Sequence, residues 1–92
     1  MACSCGGDYS FSDGYSGGQG TTEALVEFTR KSKWIKIYND DTVADTILYR
    51  FDQLHHQSIL AAGDSIELSI NASGIYLDSS ASSTPYRIVV LG

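Results

Sequence analysis

Residues 64–92, DSIELSINASGIYLDSSASSTPYRIVVLG, decide the fold of this chain. Apolar residues recur there at every second position in three short runs: Ile66, Leu68 and Ile70, then Ile75 and Leu77, then Tyr86, Ile88 and Val90. Polar residues, glycine and proline separate the runs. Because successive side chains of a β-strand point to opposite faces, a period of two predicts three strands that each bury one face.

The same alternation extends towards the N-terminus as far as Thr21. It is present in TEALVEFT (residues 22–29), KWIKIYND (33–40) and VADTILYRF (43–51). Turn signals at intervals of roughly 8–12 residues, with many β-branched and aromatic residues, are typical of an antiparallel β-sandwich. We therefore predict an all-β domain, a small antiparallel β-sandwich of jelly-roll or immunoglobulin-like type with six to seven strands. A helix over Thr42–Leu54, which begins with cap-like residues, is the alternative for that segment.

The first twenty residues, MACSCGGDYSFSDGYSGGQG, differ in composition from the rest of the chain. They contain both cysteines and six of the nine glycines. A Gly- and Ser-rich segment cannot offset its ordering entropy by burying its own side chains. The sequence thus predicts a flexible arm over residues 1–20 and a β-sandwich domain over residues 21–92. Three aromatic residues are expected to anchor the arm on another surface: Tyr9, Phe11 and Tyr15.

The chain has a net charge of −5. An acidic surface repels phosphate groups, so nucleic acid is not an expected partner. No segment approaches the roughly 18 apolar residues of a membrane span, and the first residues show no basic-then-apolar secretory signal. Basic residues cluster in RKSKWIK (residues 30–36). This cluster is either a solvated edge or a contact for an acidic partner, such as another copy of this chain.

A single residue separates Cys3 from Cys5. A disulfide between them would close a small, strained ring. A structural zinc site needs about four ligands, and His55 and His56 are the further soft ligands in the sequence. No metal site is therefore expected. Two interpretations stay open: free thiols on a mobile arm, or disulfides between chains that form once an assembly leaves the reducing cytosol.

No catalytic motif is present. The sequence has no nucleophile elbow, no P-loop, no HExxH pair and no dinucleotide fingerprint. Its aspartates fall mostly at turns, where Asp hydrogen-bonds the backbone, and their spacing does not match a calcium-binding loop. We expect no enzymatic activity and no cofactor.

Trp34 and Tyr38 share one face of a predicted strand, opposite Ile35 and Ile37. If the isoleucines face the core, the two aromatic rings face outwards and form either a protein interface or a platform for carbohydrate. If Trp34 anchors the core, the isoleucines contact a neighbour. We favour Trp34 in the core, the more frequent position of a lone Trp in a small β-domain. In both cases the strand is apolar on two faces, which suggests that another subunit covers it.

The segment LAAGDSIELSINASGIYLDSSASSTPYRIVVLG (residues 60–92) resembles small virion proteins of tailed bacteriophages. The similarity lies in the L-x-x-G-[DE]-S turn, the SGIYL strand and the closing PYR-hydrophobic-G strand. The resemblance implies a structural virion protein assembled in the host cytoplasm, and above all a capsid decoration (cement) protein. A neck or tail component is the alternative. The implied partners are a major capsid or other virion protein and further copies of the chain. MACSCGG is not part of the family pattern.

These observations predict a non-enzymatic protein that assembles into homo-oligomers. The candidate interaction residues are those of the arm and of the two-faced strand: Cys3, Cys5, Tyr9, Phe11, Tyr15, Trp34 and Tyr38. Cys3 and Cys5 are also the candidates for inter-chain disulfides. The competing hypothesis is a carbohydrate-binding β-sandwich module, with Trp34, Tyr38 and Tyr49 as its platform.

Overall fold

Eight antiparallel β-strands form the fold. A computed structural model describes residues 10–81 and 83–92. The strands are β1 (Ser12–Gln19), β2 (Ala24–Glu27), β3 (Trp34–Asn39), β4 (Ile47–Arg50), β5 (Ser58–Leu60), β6 (Ser65–Leu68), β7 (Gly74–Ser79) and β8 (Thr84–Leu91).

Two four-stranded sheets pack face to face. The first sheet has the strand order β1-β8-β3-β6, and the second has the order β2-β7-β4-β5. β1 pairs with β8, β2 with β7, β3 with β6 and β4 with β5, so the two halves of the chain pair in reverse order. Two such four-stranded sheets make a jelly-roll sandwich. The predicted antiparallel β-sandwich is confirmed.

The segment 42–54, for which a helix was the alternative, contains β4 instead. Ile47 and Tyr49 of β4 are buried, while Leu48 and Arg50 lie on the outer face. Pairing with β7 on one side and β5 on the other satisfies the backbone of this segment. A local helix would leave those pairings unmade, so the tertiary context overrides the cap-like residues.

The core lies between the sheets and consists mainly of branched aliphatic side chains. The most deeply buried are Ile35, Ile37, Ile47, Ile75, Leu77, Ile88 and Val90. The prediction that Trp34 anchors this core is wrong, because Ile35 and Ile37 are completely buried and Trp34 lies half-buried on the outer face of the first sheet. The register explains this. Ile35 pairs with Leu68 and Val90, so one face of three strands is apolar and faces inwards.

Residues 12–19, assigned from the sequence to a flexible arm, form strand β1. The assignment of residues 1–20 to the arm is therefore wrong for these residues, and the sandwich has eight strands instead of six to seven. β1 pairs with β8 along its whole length, from Ser12 opposite Leu91 to Gln19 opposite Thr84. Its backbone hydrogen bonds are made to a distant strand. β1 can therefore form without alternating apolar residues, and its glycines and serines are compatible with a strand.

The connections between strands alternate between the two ends of the sandwich. We call the end that contains residues 20–23, 40–46 and 61–64 the upper end. The lower end contains residues 28–33, 51–57 and 69–73 and both ends of the described chain, since Ser10 and Phe11 donate backbone hydrogen bonds to the carbonyl of Gly92. Strand β3 runs from the lower end to the upper end.

The buried side chain of Asn39 ties the upper connections together. Its amide nitrogen donates to the carbonyl oxygens of Asp45 and Leu60, both at 2.9 Å. Its amide oxygen accepts from the backbone N–H of Asp41 at 3.0 Å. The backbone of Asn39 also bonds to Gly63 and Asp64. Because the residue is 1% exposed, water does not replace these bonds.

Replacing Asn39 should destabilise the whole domain. In Asn39→Ala, two carbonyl oxygens and one N–H lose their partner in a largely buried site, so we expect a loss of about 3 kcal/mol in the free energy of unfolding. Urea denaturation measures this. The matched control is Asn71→Ala, at an exposed asparagine of the lower end without a side-chain hydrogen bond among the described residues. Equal stability of the two variants would contradict the role given to Asn39.

The position of β1 gives a second prediction, about truncation. Deleting residues 1–20 removes β1, exposes an edge of β8 and removes the packing of Tyr15 on Phe28, whose ring centroids are 5.4 Å apart. We expect a loss of about 3 kcal/mol or more in the free energy of unfolding. Deleting residues 1–9 retains all eight strands and should leave the urea midpoint close to that of the full chain. A stable domain after the longer deletion would show that β1 is dispensable.

Candidate assembly surfaces

The N-terminal segment joins the sandwich at its lower end. The amide of Phe11 donates to the carbonyl of Gly92 at 3.0 Å, and the amide of Gly92 donates back to Phe11 at 3.2 Å. The guanidinium of Arg30 lies 4.0 Å from the centroid of the Phe11 ring. A Cβ at Gly92 would collide with this ring, which explains the glycine at that position. The path of the chain at residues 10–11 is therefore fixed beside the C-terminus.

Strand β1 is also tied to the connection between β2 and β3. The hydroxyl of Tyr15 accepts from the amide of Thr29 at 2.8 Å. The hydroxyl of Thr29 donates to Asp13 at 2.9 Å, and Arg30 donates to the other oxygen of the same carboxylate at 3.3 Å. These bonds hold β1 on its own domain.

The structure separates the candidate interaction residues into three groups. Phe11 and Tyr15 pack against the core of their own chain. The prediction that they anchor an arm on a neighbour therefore has no support in the structure. Trp34 and Tyr38 lie on the opposite side of the same sheet. Cys3, Cys5 and Tyr9 lie outside the described residues.

The free edge of β1 is a candidate for pairing with another chain. β1 is at the edge of the first sheet and is eight residues long, whereas the other edge strands have three or four. It contains no lysine and no proline, and its one charged side chain, Asp13, is bonded to Thr29 and Arg30. Proteins commonly protect edge strands with lysine or proline, or by keeping the strand short. The β1 edge lacks this protection.

The outer face of the first sheet carries Trp34 and Tyr38. Trp34 is paired with Leu91 of β8, and Tyr38 is paired with Arg87. The Arg87 guanidinium lies 4.0 Å from the centroid of the Tyr38 ring, and the ammonium of Lys36 lies 4.9 Å from it. Asp40 accepts two hydrogen bonds from Arg87 and so fixes the guanidinium over the ring. The same contact raises the pKa of Arg87.

This arrangement does not fit the predicted carbohydrate platform. A sugar stacks on an open aromatic face, and two cations lie over the ring of Tyr38. Tyr49 does not join the platform either, since it is buried between the sheets. The half-buried Trp34, next to Leu91 and without a ring partner among the described residues, fits a protein contact better than a sugar site.

Sequence reasoning did not identify a charged cluster on the outer face of the second sheet. Glu23 accepts hydrogen bonds from Arg50 at 2.6 and 2.7 Å, and also from Gln53 and Gln57. The side chains of Glu23 and Arg50 are 15% and 22% exposed. The bond from Arg50, with those from Gln53 and Gln57, lowers the pKa of Glu23 from 4.5 to about 2, although burial opposes this.

Neither of two cavities lined by described residues contains an assembled catalytic group. One, of about 600 Å³, opens at the lower end and has Glu27, Lys31 and Asp52 as its charged lining residues. The second, of about 380 Å³, contains an exposed His55 whose Nδ1 is 2.7 Å from Asp52. Ser58 lines the same cavity but forms no hydrogen bond with either histidine. This Asp–His pair thus lacks a bonded nucleophile.

Within residues 10–81 and 83–92, no three potential ligands lie close enough together to hold a metal ion. The same part of the chain contains no helix that is long and apolar enough to cross a membrane.

Comparison with known proteins identifies one similar solved structure. No model of a known protein family and no curated protein matches the sequence. The similar structure comes from the work describing Bacillus endospore appendages as a novel family of disulfide-linked pili. It aligns with a TM-score of 0.53 and 13% sequence identity, over 99% of this chain and 96% of that chain. At this identity the likeness establishes a shared fold over nearly the whole of both chains.

The cluster around Glu23 predicts a specific acid sensitivity. Because its pKa is about 2 in the folded chain and ordinarily 4.5, only the unfolded chain takes up a proton there between those values. The stabilisation by Glu23 is therefore present above pH 4.5 and is lost as the pH falls towards 2. Glu23→Gln should lower stability at neutral pH and make the decrease across this interval less steep.

Urea midpoints at about pH 7, 4.5 and 2.5 measure both effects. The control is Glu27→Gln, since Glu27 is exposed on β2 and its carboxylate has no hydrogen bond among the described residues. This control should leave the neutral midpoint nearly unchanged. The same acid dependence in Glu23→Gln and wild type would mean that the cluster does not control it.

Proposed function

We propose that this protein is a non-enzymatic structural subunit that polymerises with copies of itself into a disulfide-linked assembly. The observation that carries this proposal is the shared fold with a pilus protein, together with two cysteines that precede Ser10 in the sequence, where the described chain begins at the lower end of the sandwich. The long, unprotected edge of β1 supports it, because such an edge is a template for a strand of another chain.

The role proposed for Cys3 and Cys5 is covalent linkage between subunits. In surroundings more oxidising than the cytosol, two thiols of different chains give up two protons and two electrons to a disulfide oxidant and form one S–S bond. A chain with two thiols can link to two others, so a chain of covalent bonds can propagate. The disulfide-linked pili that share this fold support the same interpretation.

Capsid decoration in a tailed bacteriophage stays a prediction. It is supported by the sequence resemblance of residues 60–92, and the partners and virion location that it implies depend on that resemblance alone. The structural neighbour favours an appendage subunit over a decoration protein. Both are structural roles, and neither requires a catalytic group.

Denaturing gels with and without reductant test the covalent part of the proposal. Wild-type assembly formed under oxidising conditions should give a ladder of multimers that collapses to one chain on reduction. Cys3→Ser and Cys5→Ser each leave one thiol per chain, so their covalent products should stop at the dimer. The double variant should run as a single chain in both lanes.

These variants also provide their own control, since both cysteines precede the eight described strands in the sequence. Circular dichroism should show the same β-structure in all four proteins. A single band for the oxidised wild type would reject the disulfide linkage. Ladders that extend beyond the dimer in both single variants would show that the linkage does not depend on Cys3 and Cys5 as proposed.

A further inference from the structure

The free edge of β1 presents unpaired backbone groups at every second residue. Phe11 and Gly92 each donate to the carbonyl oxygen of the other, so they continue the β1–β8 ladder as a hydrogen-bonded pair. Bonded and non-bonded pairs alternate along an antiparallel ladder, so the odd-numbered residues of β1 bond to β8. The N–H and C=O groups that point to the free edge belong to the even-numbered residues: Ser12, Gly14, Ser16 and Gly18.

The fold of a single chain does not require a glycine at position 14. Among the described residues the positive φ of a glycine is at Gly63, so Gly14 has an ordinary strand conformation. A Cβ at Gly14 would meet no atom closer than the carbonyl oxygen of Ile88, at 3.9 Å. Glycine weakens the interior of a strand and often marks a place where another backbone approaches closely. A second backbone beside the free edge of β1 would explain this glycine.

The sequence of β1 is complementary to itself in one antiparallel register, with Tyr15 of one copy opposite Tyr15 of the other. The facing pairs are then Ser12 with Gly18, Asp13 with Gly17, and Gly14 with Ser16. The residues with free backbone groups face each other, so every such group on both edges finds a hydrogen-bond partner. Each pair except the central one contains a glycine, and no two charged side chains lie opposite each other.

We propose that two copies of this protein associate by antiparallel pairing of their β1 strands about a two-fold axis at Tyr15. The pairing joins the first sheets of the two copies into one continuous sheet. The partner strand is β1 of a second copy because it satisfies the whole edge. The other edge strands of the chain have three or four residues and would leave about half of it unpaired. The half-buried rings of Tyr15 meet at the axis as a cross-strand pair.

The inference rests on the proposed function and adds a non-covalent contact between its subunits. A two-fold contact closes on itself, so the β1 pair is a dimer and forms no longer array by itself. Because β1 starts at the lower end, antiparallel pairing places the two Ser10 residues at opposite ends of the dimer, about 30 Å apart. The cysteines that precede each Ser10 in the sequence can then link one dimer to the next at both ends.

The test uses the full chain with Cys3→Ser/Cys5→Ser, so that no disulfide contributes. Sedimentation equilibrium should show a reversible monomer–dimer equilibrium. Gly14→Lys adds to the free edge the residue with which natural proteins protect edge strands, and it should weaken the dimer by about tenfold or more. Its urea midpoint should not fall, because a Cβ at residue 14 has room in the domain. A dimer as strong as that of the parent would overturn the proposal.

The matched control is Ser65→Lys. It adds the same charge to an exposed position of β6, the other edge strand of the same sheet. The dimer should be as strong as that of the parent. A loss equal to that of Gly14→Lys would mean that β1 pairs with β6 of the next copy, and it would overturn the two-fold pairing.

Nitroxide labels measure the register in the same cysteine-free chain. Labels at Ser12→Cys and Ser16→Cys report the distance between equivalent residues of the two copies. The two-fold register places these residues about 20 Å apart at position 12 and about 8 Å apart at position 16. Electron paramagnetic resonance should therefore show strong dipolar broadening for the second label and a resolved longer distance for the first. Equal distances at both positions would overturn the register.

The outcomes for the two proposals can be told apart. A cysteine-free chain that stays monomeric rejects the β1 dimer. A disulfide ladder in the oxidised wild type would still support the structural polymer in that case. A β1 dimer without a ladder in the wild type would reject the covalent linkage alone.

Discussion

The pairing of β8 along both of its edges is the constraint on which the rest of the structure depends. β8 lies between β1 and β3 in the first sheet. Its inward residues Ile88 and Val90 therefore lie at the centre of the core and are almost completely buried. The residue that follows β8, Gly92, accepts backbone hydrogen bonds from Ser10 and Phe11. The position of the N-terminal segment is thus a consequence of where the last strand of the chain lies.

Much of this fold could be predicted from the sequence, because apolar residues at every second position indicate a β-strand directly. Ile75 and Leu77 were expected on one face of their strand, and Ile88 and Val90 on one face of theirs, and all four are buried. β1 was missed because its stability comes from backbone bonds to a strand some seventy positions away, which leaves no local pattern. Alternation also divides β3 into two faces without saying which is inward. The inward face follows from the register of β3 with β6 and β8, and this register cannot be read from the sequence.

The candidate surfaces were less predictable than the strands, since they are made by topology. In a jelly roll, successive connections lie at opposite ends, so charges that alternate along the chain become separated in space. The basic residues 30–33 and the acidic residues 40–45 flank β3 and could be read as neighbours in the sequence. The Glu23–Arg50 pair spans β7, and no spacing rule connects its two members.

The proposed disulfide link between subunits would act at one end of the molecule. The described chain begins at Ser10, beside Gly92 at the lower end. Nine extended residues span at most about 30 Å, less than the 38 Å long dimension of the domain. A thiol of residues 1–9 therefore reaches only copies close to that end. A reversible contact between copies near that end would hold their thiols at high effective concentration. The disulfide would then fix an arrangement that this contact had already selected.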